Sequence, residues 1–170
     1  DDIAVISLTE VPERFHSRLN AKGKTYCYRV IHAGVPHVFD RRYAHMVEAE
    51  LDIDRMKKGA EYLVGTHDFK AFTSNKRSKK STVRTISEIR IEKKVSASMG
   101  MLGEADEIRF LYSGNGFLYH MARIITGTLL EVGTHERKPE EVAEILRHGL
   151  REHAGELVPA KGLTLMEVRY

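Results

Sequence analysis

Arg123 and Tyr26 are the residues whose settings point to chemistry. Arg123 stands in GNGFLYHMARIITGTLLEVG, Gly114 to Gly133. Apolar residues recur there at helical spacing through Phe117, Met121, Ile124 or Ile125, Leu129 and Val132. A long cation inside such a run needs an acidic partner or a route to solvent, because an unpaired buried charge is costly. No acid between positions 114 and 130 can pair with it, so the partner comes from elsewhere in the fold or from beyond this sequence. A structural ion pair and a catalytic one both fit the pattern. His120, Arg123 and Gly127 fall on one face at i, i+3 and i+7, and Gly127 would let a neighbouring backbone or a ligand come close. Tyr26 follows the basic segment PERFHSRLNAKGK. It is either a half-buried sheet residue with a satisfied hydroxyl or a group that meets a ligand.

Other chemistries lack their parts. Nine histidines are scattered without an HExxH pair, and Cys27 is the only cysteine, so no CxxC motif or intrachain disulfide exists and a zinc-dependent hydrolase is disfavoured. His67 and Asp68 are adjacent in GTHDF, where bonding to the local backbone is the plainer reading. The phosphate-cradling glycine motifs and the GxSxG elbow are absent. No cofactor or metal is expected. A lone cysteine fits a reducing cytoplasm, and no apolar run is long enough to span a bilayer.

Basic residues cluster although the formal charge is only +3. One group is Lys76, Arg77, Lys79, Lys80 and Arg84 in NKRSKKSTVR, and a second is Arg14, Arg18, Lys22 and Lys24. Both are suited to neutralising phosphates, or are solvated loops.

Positioning these groups falls to a short list of elements. Strands are expected over 3–11, 24–33, TVRTISEIRIEKK, EIRFLYS and LTLMEVRY, the third and fourth as an antiparallel hairpin. Alternation sets Tyr26, Tyr28 and Val30 on one face of their strand and Thr25, Cys27, Arg29 and Ile31 on the other. In the third strand it groups Val83, Thr85, Ser87, Ile89 and Ile91 and turns Arg84 away. VFDRRYAHMV adds a short irregular element, and GTHDFKAFTSNK reads as a loop. Helices are expected from an Asp52 cap to about Val64, through the central stretch after a sharp turn at its paired glycines, and from Pro139 through PEEVAEILRHG. The last carries acids at its start and Arg147 and His148 at its end, as the helix dipole favours. Together these predict one α+β unit over 1–170, a largely antiparallel sheet with helices packed on one face.

FHSRLNAKGKTYCYRV, GTHDFKAF, TVRTI, GNGFLYHMARIITGTLLEVG and PAKGLTLMEV, in that order, resemble the tRNA pseudouridine synthase A (TruA) family over essentially the whole chain. The resemblance implies a pseudouridine synthase-like fold and a cytoplasmic homodimer that isomerises uridine to pseudouridine in the anticodon arm of tRNA, without metal or cofactor. It implies that Tyr26 stacks on the target uracil and is a candidate for proton abstraction. Arg123 would pair with a catalytic aspartate. Arg18, Lys22, Lys24 and Arg84 would meet RNA phosphates, and His120 and the loop cations Arg77, Lys79 and Lys80 are counted with the RNA-binding set. The family's aspartate belongs to a G-R-T-D-A-G-V-H segment in an N-terminal half, and none of the aspartates here stands in that context. The expectation is a C-terminal portion of a longer enzyme, inactive alone. A stand-alone RNA-binding module is the alternative.

Overall fold

A computed structural model describes residues 2–34, 37–75, 80–95 and 105–170. Arg77 and Lys79 lie outside them, as do Lys76 and most of the connection between the two hairpin strands. Six strands form one sheet. They are β1 (Gly23–His32), β2 (His45–Val47), β3 (Gly65–Asp68), β4 (Val83–Val95), β5 (Asp106–Gly114) and β6 (Leu163–Arg169). The order is β2-β1-β5-β4-β3, with β6 also paired to β1. Every pairing is antiparallel except the short β1–β2 contact.

Three helices, α1 (Ile53–Glu61), α2 (Met121–Gly133) and α3 (Glu141–His148), supply side chains to the larger core, which they share with the Tyr28, Val30, Ile108, Phe110 and Tyr112 face of the sheet. The fold is therefore α+β, as the pattern predicts. On the other face the buried residues described are a small apolar cluster around Ile31, Ala33, Ala44 and Ala105, together with Cys27 and Glu107. Asp52 caps α1 by accepting from the Arg55 N–H at 3.0 Å. Among the described residues, no helix is long and apolar enough to cross a membrane.

Four expectations are corrected. The 3–11 segment forms no strand: Ile3, Ile6 and Leu8 are 89%, 96% and 96% exposed. Its β-branched residues favour extension, but a strand needs a partner edge and a surface to pack on, and none meets it here. GTHD is a strand, not a loop, because β3 pairs with β4 from Gly65↔Ile86 to Asp68↔Val83. In β4 a bulge between Ile86 and Glu88 shifts the alternation, so Ile86 joins the core while Val83 and Ser87 are exposed. Helix α3 begins at Glu141, two residues past the expected Pro139 start, which lies in the preceding turn.

Candidate functional site

Where the ends of β1, β5 and β6 meet the start of α2, a pocket of about 410 Å³ opens, lined by Arg18, Tyr26, Phe117, Tyr119, His120 and Arg123 among others. Four of the predicted site residues, Arg18, Tyr26, His120 and Arg123, therefore share one cavity.

Local geometry explains how the GNGFLYH segment gets there. The chain leaves β5 at Gly114, where a Cβ would lie 2.5 Å from the Thr85 carbonyl oxygen. Thr85 and Asn115 clamp this exit: the Asn115 N–H donates to Thr85 O, and the Thr85 N–H to Asn115 Oδ1, both at 3.0 Å. Close approach, rather than a glycine-only turn conformation, is the reason for Gly114. The left-handed residue is His120, with φ 65°, immediately before α2. Such a conformation is costly for a side-chain-bearing residue and tends to be kept where the surroundings enforce it. Here the imidazole stacks on Tyr119, with ring centroids 3.7 Å apart, and its Nδ1 shares a 2.8 Å hydrogen bond with Ser74 Oγ. Burial, and then the positive charge of Arg123, hold the His120 imidazole below its ordinary pKa, which favours the neutral ring.

Tyr26 is half-buried and meets Phe117 edge-on, with centroids 5.2 Å apart. Its neighbour on the same face, Tyr28, is fully buried, and its hydroxyl donates to the Pro159 carbonyl at 2.7 Å. Burial pushes the Tyr28 hydroxyl well above the usual tyrosine range. Tyr28 is thus a structural anchor, and Tyr26 the tyrosine that faces the cavity.

Arg123 projects from the first turn of α2, and its Nε donates to the Val158 carbonyl at 2.7 Å. Among the described residues it forms no ion pair. The segment bearing Val158 is strapped to α2: the Gly155 N–H donates to Thr128 Oγ1 at 2.9 Å, and the Glu156 N–H to Glu131 Oε1 at 3.2 Å. Gly127 allows this, since a Cβ there would fall on the Glu156 carbonyl. The close approach expected at Gly127 is therefore made by backbone. The strap's carbonyls are a part of the site the sequence does not advertise, because a backbone oxygen has no residue signature. Tyr119, 63% exposed at the pocket edge, was also missed, although the aromatic density of GFLYH was a signal.

The other basic residues are distributed. Lys24 pairs across to Gly114, the same residue that Ile86 of β4 pairs with, so Lys24 and Arg84 flank the exit of β5 from two sides. Arg84 approaches Gly116 and donates to the carbonyls of Ser81 and Val83. Lys22 is exposed just before β1. Lys80 lies instead at a separate cleft with Lys70 and Arg151. Among the described residues, no group of three or more His, Cys, Asp or Glu is placed to hold a metal ion.

A family model described as tRNA pseudouridine synthase matches residues 60–170. The chain is 44% identical over all 170 residues to "tRNA pseudouridine synthase A" of Clostridium botulinum (strain Eklund 17B / Type B), covering 66% of that protein. It is 41% identical over 169 residues to "tRNA pseudouridine synthase A 2" of Clostridium perfringens, covering 99% of this chain and 65% of the relative. With "tRNA pseudouridine synthase A" of Brevibacillus brevis it shares 44% over its full length and 66% of the relative. The chain thus spans just under two thirds of the length of these relatives.

Proposed function

Because the chain belongs to the tRNA pseudouridine synthase family, we propose that it forms the uracil-holding and charge-stabilising part of an enzyme that converts uridine to pseudouridine in the anticodon arm of tRNA. The observation that carries this reading is the cavity in which Tyr26, His120 and Arg123 meet while Arg123 lacks an acidic partner among the described residues. A buried-edge guanidinium with one N–H fixed on a carbonyl and no counter-charge is suited to receiving a carboxylate. In this reading the carboxylate is the family's aspartate, carried on the portion of the relatives that the present chain does not span.

The reaction breaks the glycosidic N1–C1′ bond of uridine, turns the uracil, and makes a C5–C1′ bond in its place, with loss of the proton from C5 and uptake of one at the freed N1. The atoms of uridine are conserved, so no oxidant or cofactor is required. Arg123 keeps the nucleophilic carboxylate ionised in a pocket that excludes water, offsetting its desolvation. Tyr26 lies along the uracil face, backed by Phe117, and its hydroxyl is the candidate acceptor of the C5 proton. The neutral His120 offers a hydrogen bond to the base or ribose rather than a charge. Reaching a stacked uridine requires taking it out of the helix, and Arg18, Lys22, Lys24 and Arg84 hold the flanking phosphates while it is displaced. The complete enzyme works in the cytoplasm as a homodimer in this reading.

Tritium release from C5-labelled uridine in tRNA tests the proposal. The 170-residue chain alone gives none. Joined to the complementary N-terminal segment of a relative, with its aspartate, it releases tritium. Release by the chain alone, or none from the joined protein despite native folding, contradicts the reading.

A further inference from the structure

A cleft that the proposed reaction does not use lies on the far side of residues 73–74 from the Tyr26–Arg123 pocket. It has a volume of about 520 Å³ and is lined by Lys70, Thr73, Lys80, Thr82, Arg151 and Glu152 among others. Three cations face one acid there, with two hydroxyls between them. Lys70 lies with its stem over Gly149, its Cδ 3.9 Å from where a Cβ would be, on the loop that ends α3. Arg151 is fixed by donating to the Ala154 carbonyl at 3.1 Å. Neither Lys70 nor Arg151 belongs to a basic run in the sequence. The fold gathers them.

Cleft and pocket share a wall. Thr73, which lines the cleft, donates from Oγ1 to the carbonyl of Tyr119 at 3.0 Å, and Ser74 bonds His120. Tyr119 and His120 line the pocket. A chain leaving the pocket over residues 73–74 therefore arrives directly among Lys70, Lys80 and Arg151. The chemistry of the cleft is that of an anion track: Lys70, Lys80 and Arg151 supply charge for phosphates, while the Thr73 and Thr82 hydroxyls are spent on holding the wall, donating to the Tyr119 carbonyl and to Asp68.

We propose that this cleft binds the phosphodiester backbone of the same RNA whose base enters the Tyr26–Arg123 pocket, making the two sites one continuous track across Thr73 and Ser74. The inference rests on the reading of the chain as part of an RNA-modifying enzyme. The track fixes how the RNA strand runs past the pocket, and so contributes to which nucleotide is presented, without touching the reacting atoms.

The test is fluorescence anisotropy of a labelled anticodon stem–loop RNA titrated with the 170-residue chain at several salt concentrations. A Lys70→Gln/Lys80→Gln double variant should bind about tenfold or more weakly, with a log–log salt slope shallower by about two. Glu152→Gln, which removes the acid of the cleft, should bind about twofold more tightly, a direction that a folding defect would not produce. RNA binding by the unaltered chain with both variants unchanged in affinity and slope would overturn the cleft assignment and leave the proposed function standing. Failure of the unaltered chain to bind RNA at all would overturn the cleft assignment, while tritium release by the joined protein decides the proposed function separately.

Discussion

Arg123 Nε donates to the carbonyl oxygen of Val158 at 2.7 Å, so the cation at the pocket is oriented by backbone rather than by an acid. That carbonyl is in place only because the strap from Gly155 to Val158 lies directly on α2. Two glycines make the contact possible: Gly127 under Glu156, and Gly155 over Thr128, where a Cβ would lie 2.6 Å from the Thr128 nitrogen. The chemistry of Arg123 thus depends on the absence of side chains one turn further along the same helix.

Gly127→Ala tests this dependence. The added methyl has no space against the Glu156 backbone and must displace the strap, which should cost about 2–3 kcal/mol. Urea unfolding of the variant would show a lower midpoint with a near-normal slope. An unchanged midpoint would mean that the strap adjusts freely and does not hold Arg123.

Tyr26 offers a separation of stacking from proton transfer. In the joined enzyme Tyr26→Phe keeps the ring and its edge contact with Phe117. RNA affinity should hold, while turnover falls by about 10²-fold or more if the hydroxyl takes the proton. Tyr26→Ala should in addition lose about 1–3 kcal/mol of binding through the missing stack. Full turnover in Tyr26→Phe would remove the hydroxyl from the mechanism.

Much of this site was legible in the sequence, and the reasons differ residue by residue. Tyr26 and Tyr28 could be set on one face because alternation is a property of any extended chain. Arg123 stood out because a cation in an apolar helical run is an anomaly that demands an explanation. Lys70 and Arg151 could not be found, since they come together only when the loop after α3 folds back beside the end of β3. The β4 bulge was equally hidden: Val83, Thr85, Ser87 and Ile89 read as a clean alternation, and only the pairing with β5 reveals the slipped residue. The 3–11 segment fails for the opposite reason. Its local preference is readable, but a strand exists only with a partner.

The reverse face of the sheet carries a pH-dependent contribution to stability. Glu107 accepts from Arg29 Nε and Arg109 Nε, each at 2.7 Å, while Arg29 also reaches Asp40 at 3.3 Å. Burial pushes the Glu107 carboxyl up, but the hydrogen bonds and charges of the two arginines outweigh it and hold it down to about 2. A depressed carboxyl stabilises the fold fully above its unfolded value, near 4.5, and loses that contribution as pH falls toward 2. Glu107→Gln should therefore destabilise the chain by about 2 kcal/mol at pH 7, allowing for solvent around both arginines, and by much less at pH 2–3. Thermal melts across that range check it. An equal loss at both pH values would mean that packing, not charge, holds this position.

The exposed apolar residues of the N-terminal segment should drive self-association. Ile3, Val5, Ile6 and Leu8 project without cover, and Leu165 and Met166 of β6 are half-exposed or more. Sedimentation of the 170-residue chain should show concentration-dependent oligomers, and Ile6→Asp/Leu8→Asp should shift it toward monomer. A chain that stays monomeric at high concentration would show that these residues are harmlessly solvated.

The central claim is that Arg123 is one half of a catalytic ion pair. Its most direct test is tritium release and tRNA affinity measured side by side for the joined enzyme and its Arg123→Ala variant. The account predicts that turnover drops by about 10²–10³-fold or more while affinity changes little. Equal losses in turnover and affinity would contradict it, and would make Arg123 a binding or folding residue.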